Sequence, residues 1–188
     1  MHLSDQDLID EIRGGSRAAF GQLMERHERR VYHLAWSYVR QEEAALDICQ
    51  NVFVKVHRGL GSFDRRAAFT TWLTRIACNE SLNWLRSQRR HRACEELTDV
   101  NAPACSPVQE AQVLCDERQR RLLAEVDRLN GSQRQAVLLR YFEQIPLRQV
   151  AEVMDCSEGA VKSLLFRSLE KMRRTMGRPE LWMEETGS

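Results

Sequence analysis

Two rows of basic and amide side chains, one in each half of the chain, carry the chemistry that this sequence can do. Arg75, Asn79, Asn83, Arg86 and Arg90 recur at steps of three and four residues, which places them on one face of a helix. The row runs on into Arg89-Arg90-His91-Arg92. Guanidinium groups grip phosphates, and Arg and Asn both pair with base edges, so such a row suits nucleic acid. Taken alone, the Arg run is equally a solvated helix end that offsets the helix dipole. The second row follows Ser157: Glu158, Lys162, Ser163, Phe166 and Arg167 share an outward face, and Lys171, Arg173 and Arg174 come after them.

Catalytic chemistry finds no foothold. The five histidines are scattered, and no H-E-x-x-H, phosphate-binding loop or nucleophile elbow occurs. The six cysteines stand at 49, 78, 94, 105, 115 and 156 with no C-x-x-C pair, which argues against a disulfide framework or a standard zinc site. Cys49 and Cys78 fall on apolar helix faces and read as small buried hydrophobes. His91, Cys94, Cys105 and Cys115 cluster in sequence, but their spacing matches no standard metal site. The expectation is a chain without catalytic residues, metal or cofactor.

The 188 residues carry a formal net charge of +1, with 43% hydrophobic and 29% charged residues, the balance of an ordinary globular protein. The charge is unevenly spread. Residues 1–97 hold 15 Lys/Arg against 13 Asp/Glu, residues 98–116 none against 3, and residues 117–188 hold 13 against 11. The middle piece also has two of the four prolines, Pro103 and Pro107, and reads as an acidic linker between two weakly basic domains, 1–97 and 117–188. Only Lys55, Lys162 and Lys171 are lysines; the Arg bias suits phosphate and base contacts, though a GC-rich genome would produce it too. No apolar run approaches the roughly 18 residues of a membrane span. The opening Met1-His2-Leu3-Ser4-Asp5 lacks the order of a signal peptide, so a cytoplasmic location without membrane insertion is expected.

Positioning the two rows falls to helices, since no segment alternates as a strand would. Ser4 with Asp7 caps a short helix through Leu8, Ile9 and Ile12, which Gly14-Gly15 stops. Ser16 opens a longer one with Phe20, Leu23, Met24, Val31, Leu34, Ala35 and Tyr38 inward. From about Glu43 to Arg58, Ala45, Ile48, Cys49, Val52, Phe53 and Val56 face the core. The opposite face of that helix carries Asp47, Gln50, Asn51, Val54 and Arg58; it suits a partner surface or a solvated one with a stray valine. A loop through Phe63 and Asp64 leads to a helix from about Phe69 to Arg90, with Phe69, Trp72, Leu73, Ile76, Ala77 and Trp84 on its core side.

In the second half, Leu122, Val126 and Leu129 mark a helix ended by Asn130-Gly131. A capping box at Ser132–Gln135 is expected to open the next, on the face of Val137, Leu138 and Tyr141. After Ile145-Pro146, residues 147–165 have the pattern of a helix-turn-helix. Val150, Ala151 and Met154 point inward, Asp155-Cys156 turns the chain, and Ser157 caps a second helix whose Val161 and Leu165 face back. An ordinary antiparallel helix pair is the plainer alternative. The fold class is all-α, in two small helical domains.

This order of motifs resembles the extracytoplasmic-function (ECF) sigma factors, the smallest group of the major bacterial sigma family. Asp47-Ile48-Cys49-Gln50-Asn51-Val52-Phe53-Val54-Lys55-Val56 resembles region 2.2, and Phe69-Thr70-Thr71-Trp72-Leu73-Thr74-Arg75-Ile76-Ala77-Cys78-Asn79 regions 2.3 and 2.4. Gly159-Ala160-Val161-Lys162-Ser163 with its flanks resembles region 4.2. The resemblance implies a subunit that gives core RNA polymerase its promoter specificity. Asp47, Gln50, Asn51, Val54 and Arg58 would then bind the β′ clamp helices. Phe63 and Asp64, with Asn79, would trap a base of the −10 element, while Arg75, Asn83, Arg86, Arg89 and Arg90 would complete that DNA surface. Ser157, Glu158, Lys162, Ser163, Phe166, Arg167 and Lys171 would meet the −35 major groove, with the second domain on the β flap. The acidic linker would thread toward the RNA exit channel. An anti-sigma factor, which can hold the chain at the inner membrane face, is the further partner implied.

Two positions depart from the family pattern: Asn51 stands where glutamate is usual, and Leu164 where the recognition helix often has arginine. The rival readings are a helix-turn-helix regulator that never touches polymerase and, from another class, an enzyme. The tail from Gly177 to Ser188, with Trp182, matches nothing in the family.

Overall fold

The structure, a computed structural model, describes residues 3–95 and 117–176. The acidic linker with Cys105 and Cys115, and the tail with Trp182, lie outside the described residues, as does the side chain of Cys94. Among the described residues there are eight α-helices and no strand, in two compact units, one centred on α1–α4 and the other on α5, α6 and α8.

In the first unit α1 (Asp5–Arg13) begins at the expected cap: Ser4 Oγ accepts from the Asp7 N–H at 3.2 Å, and an Asp7 oxygen accepts from the Ser4 N–H at 2.9 Å. The helix stops at Gly14, and Gly15 takes φ 94°, a conformation open to glycine at no steric cost. Ser16 then caps α2 (Arg17–Val39). The next helix, α3 (Glu42–Gly59), starts without a side-chain cap and ends in a 3₁₀ turn, Leu60–Ser62. α4 (Phe69–Glu95) runs past Arg90, five residues longer than expected, because nothing in Arg89-Arg90-His91-Arg92 breaks a helix.

These helices meet along their apolar stripes. Leu23, Val31, Leu34, Ala35 and Tyr38 of α2 and all six expected α3 residues are buried. On α4, Phe69, Leu73 and Ala77 are buried, but Trp72, Ile76 and Trp84 are only half-buried. The gap is filled by Thr71, Thr74, Cys78 and Ser81. Thr74 and Ser81 satisfy their hydroxyls on the Thr70 and Ala77 carbonyls, at 2.7 and 2.9 Å, so burying them leaves no unmet donor. The ion pair of Lys55 with Glu80 joins α3 to α4.

The second unit has α5 (Glu117–Asp127), α6 (Gly131–Val137) and α8 (Glu158–Met176). Its capping box is formed by Asn130 and Gln133, not by Ser132: Asn130 Oδ1 accepts from the Gln133 N–H at 2.9 Å. Asn130 both ends the preceding helix and caps the next, so the cap falls two residues earlier than expected. α6 passes into a turn of π-helix, Leu138–Phe142. Residues 134–139 are all buried, where a single face was expected. Arg134 lies inside with its guanidinium 2.7 Å from Asp127, the pairing that a buried charge requires.

Candidate nucleic-acid and partner interfaces

The α4 row stands in the solvent. Asn79, Asn83, Arg86, Arg89 and Arg90 are exposed and Arg75 is half-buried. Their common face follows from the helix period, because the opposite face is taken by Phe69, Leu73 and Ala77. Arg86 Nη1 donates to Asn83 Oδ1 at 3.1 Å, which holds a donor and an acceptor side by side, as base-edge and phosphate contacts need.

The loop that precedes α4 splits into an inner and an outer part. Phe63 is only 5% exposed, its ring 5.0 Å from that of Trp72 and 6.0 Å from that of Phe69. Its side chain therefore anchors the loop and offers no surface to a base. Asp64 is exposed. One of its carboxylate oxygens accepts from the Arg66 N–H at 3.1 Å, and the other lies 3.0 Å from Arg66 Nε. At Arg65 the backbone takes φ 62°, a region that residues other than glycine seldom occupy. The end of α3 comes close beneath, where a Cβ on Gly59 would lie 3.1 Å from the Trp72 ring.

On α3, Asp47, Gln50, Asn51, Val54 and Arg58 are all exposed. Val54 is 46% exposed, and so is Leu46, at 45%. Leu46, Gln50 and Val54 are four residues apart and share a face. Sequence reasoning missed Leu46, although the four-residue spacing that picked out Gln50 and Val54 reaches it too. Two exposed branched aliphatics among polar groups make an apolar centre with a polar rim.

α7 (Leu147–Met154) and α8 follow one another across a short turn, in the order of a helix-turn-helix. Asp155 turns the chain at φ 54°, and Ser157 Oγ accepts from the Ala160 N–H at 3.2 Å to cap α8. Val150, Ala151, Val161 and Leu165 are buried as expected; Val153 is buried, whereas Met154 is half-buried. Ser157 and Glu158 are exposed. Lys162, Ser163, Phe166 and Arg167 are exposed on one side of α8, with Phe166 69% exposed. Lys171 is placed elsewhere. It lies five residues beyond Phe166, about 140° round the helix, and its Nζ donates to the Arg128 carbonyl at 2.8 Å. Leu164 is half-buried.

No group of three or more His, Cys, Asp or Glu side chains that could hold a metal occurs among the described residues. Cys49 and Cys78 are buried, as expected, and Cys156 is exposed. His91 is exposed. No described helix is long and apolar enough to cross a membrane.

Comparison with known proteins agrees with this geometry. The sigma-70 region 2 family matches residues 23–91, and the sigma-70 region 4 family residues 119–172. The chain is 32% identical over 182 residues to the ECF RNA polymerase sigma-E factor of Haemophilus influenzae, covering 89% of this chain and 93% of that one. It is 30% identical to the RNA polymerase sigma-H factor of Pseudomonas aeruginosa over 180 residues, covering 92% and 93%. In fold it is similar to CnrH, solved with the cytosolic domain of CnrY, at a TM-score of 0.64 and 24% identity over 91% of this chain and 96% of that one. It is also similar to the sigma factor RpoE of Bartonella quintana, solved with the anti-sigma factor NepR, at a TM-score of 0.61 and 20% identity over 85% and 98%. With both family matches in order along the chain and curated relatives aligned over nine-tenths of it, the chain belongs to the extracytoplasmic-function group of sigma-70 factors.

Proposed function

We propose that this chain directs core RNA polymerase to promoters, using three surfaces and no catalysis of its own. The α3 face of Leu46, Gln50 and Val54, rimmed by Asp47, Asn51 and Arg58, binds the β′ clamp helices. Asp64, Asn79 and Asn83 meet an unpaired −10 base, and Arg75, Arg86, Arg89 and Arg90 hold the backbone beside it. On α8, Lys162, Ser163, Phe166 and Arg167 enter the −35 major groove, and Ser157 and Glu158 at its start meet the adjoining backbone. Phe63 acts from inside by anchoring its loop, and Lys171 by holding the end of α5.

The observation that carries this reading is the exposed Asn/Arg row along α4. A helix-turn-helix regulator needs only its recognition helix, and a second DNA-facing helix bearing amides is what capture of unpaired bases requires. Melting then proceeds by binding, because a trapped base offsets an unstacking cost of a few kcal/mol. Domains 1–97 and 117–188 are the working units. The sigma factor RpoE of Bartonella quintana was solved in complex with the anti-sigma factor NepR; in the same manner this chain works in the cytoplasm under an anti-sigma factor, which covers the polymerase-binding face.

Reconstitution tests it. Core polymerase plus the purified chain is expected to start transcripts in vitro at the positions mapped in cells after overexpression. A chain that binds duplex DNA yet neither captures core polymerase nor supports initiation would be an ordinary regulator.

A further inference from the structure

Helix α1 is tied to the loop between α3 and α4 by side chains that span about fifty residues of sequence. Arg13 Nη2 donates to the Leu60 carbonyl at 3.2 Å and also to the Phe63 carbonyl, so one guanidinium clasps both ends of the 3₁₀ turn. One turn earlier, Asp10 pairs with Arg65, the residue whose backbone sits at φ 62°. Below them Asp5 Oδ2 lies 2.9 Å from His27 Nε2. The His27 ring stands edge-on to Phe69 at 5.3 Å, and Phe69 meets Phe63. α1 can bear this load because Leu8 and Ile9 are fully buried and its start is capped. It lies ahead of the stretch that matches region 2, residues 23–91.

A loop that reads a base must hold its reading side chain to within about half an ångström, which packing and supporting hydrogen bonds provide. Here the support is asymmetric. Phe63 fixes the inside of the loop, whereas the carbonyls of Leu60 and Phe63 both accept from one guanidinium nitrogen, Arg13 Nη2, whose two N–H groups serve two acceptors at once. On its outer side Asp64 is held by its own turn to Arg66.

We propose that Arg13 is a positioning residue for −10 selectivity: from α1 it sets the loop conformation that presents Asp64, without itself touching DNA. The proposal rests on the reading that this loop meets a −10 base. A role confined to stability would lower the melting temperature and weaken every DNA alike. A positioning role changes the ratio between DNAs.

The test uses holoenzyme assembled from core polymerase and the full chain. The probe is a fluorescent single-stranded DNA pool, randomised over about six positions, followed by the selected sequence and its single-base variants. Arg13→Ala is expected to lower discrimination at one position by about tenfold, the scale of a charged hydrogen bond, with core affinity within about twofold of the parent. Arg13→Lys keeps the cation and a nitrogen with several N–H donors, but on a shorter reach, and should recover part of the ratio. Should Arg13→Ala melt below the assay temperature, Arg13→Gln takes its place. An unchanged ratio with uniformly weaker binding, or with only a lower melt, overturns the proposal. Asp64→Ala is run beside them. If it relaxes discrimination and the Arg13 variants do not, Arg13 alone is wrongly placed. If neither does, the loop does not read a base, and both readings fall.

Discussion

Arg86 and Asn83 share a hydrogen bond across one turn of α4, Nη1 to Oδ1 at 3.1 Å, while Asn79 stands exposed one turn earlier on the same face. The row therefore holds two kinds of group. A carboxamide offers a donor and an acceptor at fixed separation, which is selective for a base edge. A guanidinium already oriented by its neighbour offers charge, which is not.

Asn79→Ala and Arg86→Ala should accordingly differ in kind. Loss of Asn79 is expected to relax preference at one −10 position by about 1–3 kcal/mol. Loss of Arg86 should weaken all promoters alike and reduce the salt slope by about one. Open-complex formation on a promoter and its single-base variants, over a salt series, separates the two. Equal and sequence-independent effects from both would remove the assignment.

The α3 face should fail without unfolding. Gln50→Ala with Val54→Asp places a charge at the centre of an exposed apolar patch, and neither residue belongs to the buried stripe. Core binding should be lost, while circular dichroism and melting temperature hardly change. Leu46→Asp, at the other exposed aliphatic, should weaken core binding in the same way. A folded double variant that still initiates at promoters would place the polymerase contact elsewhere.

Stability should fall on the alkaline side, and Cys49 should account for part of the fall. Burial, with the Glu28 carboxylate nearby, pushes the Cys49 thiol up to about 11 from 9.0. Below pH 9 both folded and unfolded states hold the proton, and the stability it represents is intact. Between about 9 and 11 the unfolded thiol ionises while the folded one does not, so stability is lost as pH rises. Denaturant melts of the parent and Cys49→Ala across that range should converge. A constant difference between them would show that the thiol does not titrate as described.

Much of this could be read along the chain because it is local. Helix period fixed the buried stripes of α2 and α3, and side-chain caps at Ser4, Ser16 and Ser157 were visible as residue types before apolar runs. The misses have physical causes too. The family resemblance alone places Phe63 at a −10 base; the arrival of Phe69 and Trp72 from α4 buries its ring. Lys171 looked like part of the −35 face until the end of α5 supplied a carbonyl for it. Arg13 gave no signal at all, since its two acceptors lie 47 and 50 residues away. Local pattern shows which face a side chain takes, and tertiary packing decides what stands opposite.

On α8 the exposed residues Lys162, Ser163, Phe166 and Arg167 should divide by role, and Leu164 decides how far that face can be extended. Lys162 and Arg167 are five residues apart, about 140° round the helix, so they flank Phe166 from either side. A base contact contributes roughly 1–3 kcal/mol of discrimination, whereas a phosphate contact adds affinity without choice. Lys162→Ala is therefore expected to flatten −35 preference, and Arg167→Ala to lower affinity across all duplexes. Leu164 is neither free nor sealed: it is half-buried, next to the buried Leu165. An arginine there can lay its stem on the apolar surface and carry the guanidinium out to water. Leu164→Arg in the full chain should then melt only a few degrees lower, consistent with a loss near 1 kcal/mol. It should also bind −35 duplexes more tightly, with a salt slope steeper by about one. Collapse of the second unit would mean that the stem cannot reach solvent. An unchanged melt with no gain in DNA binding would mean that position 164 faces away from the DNA altogether.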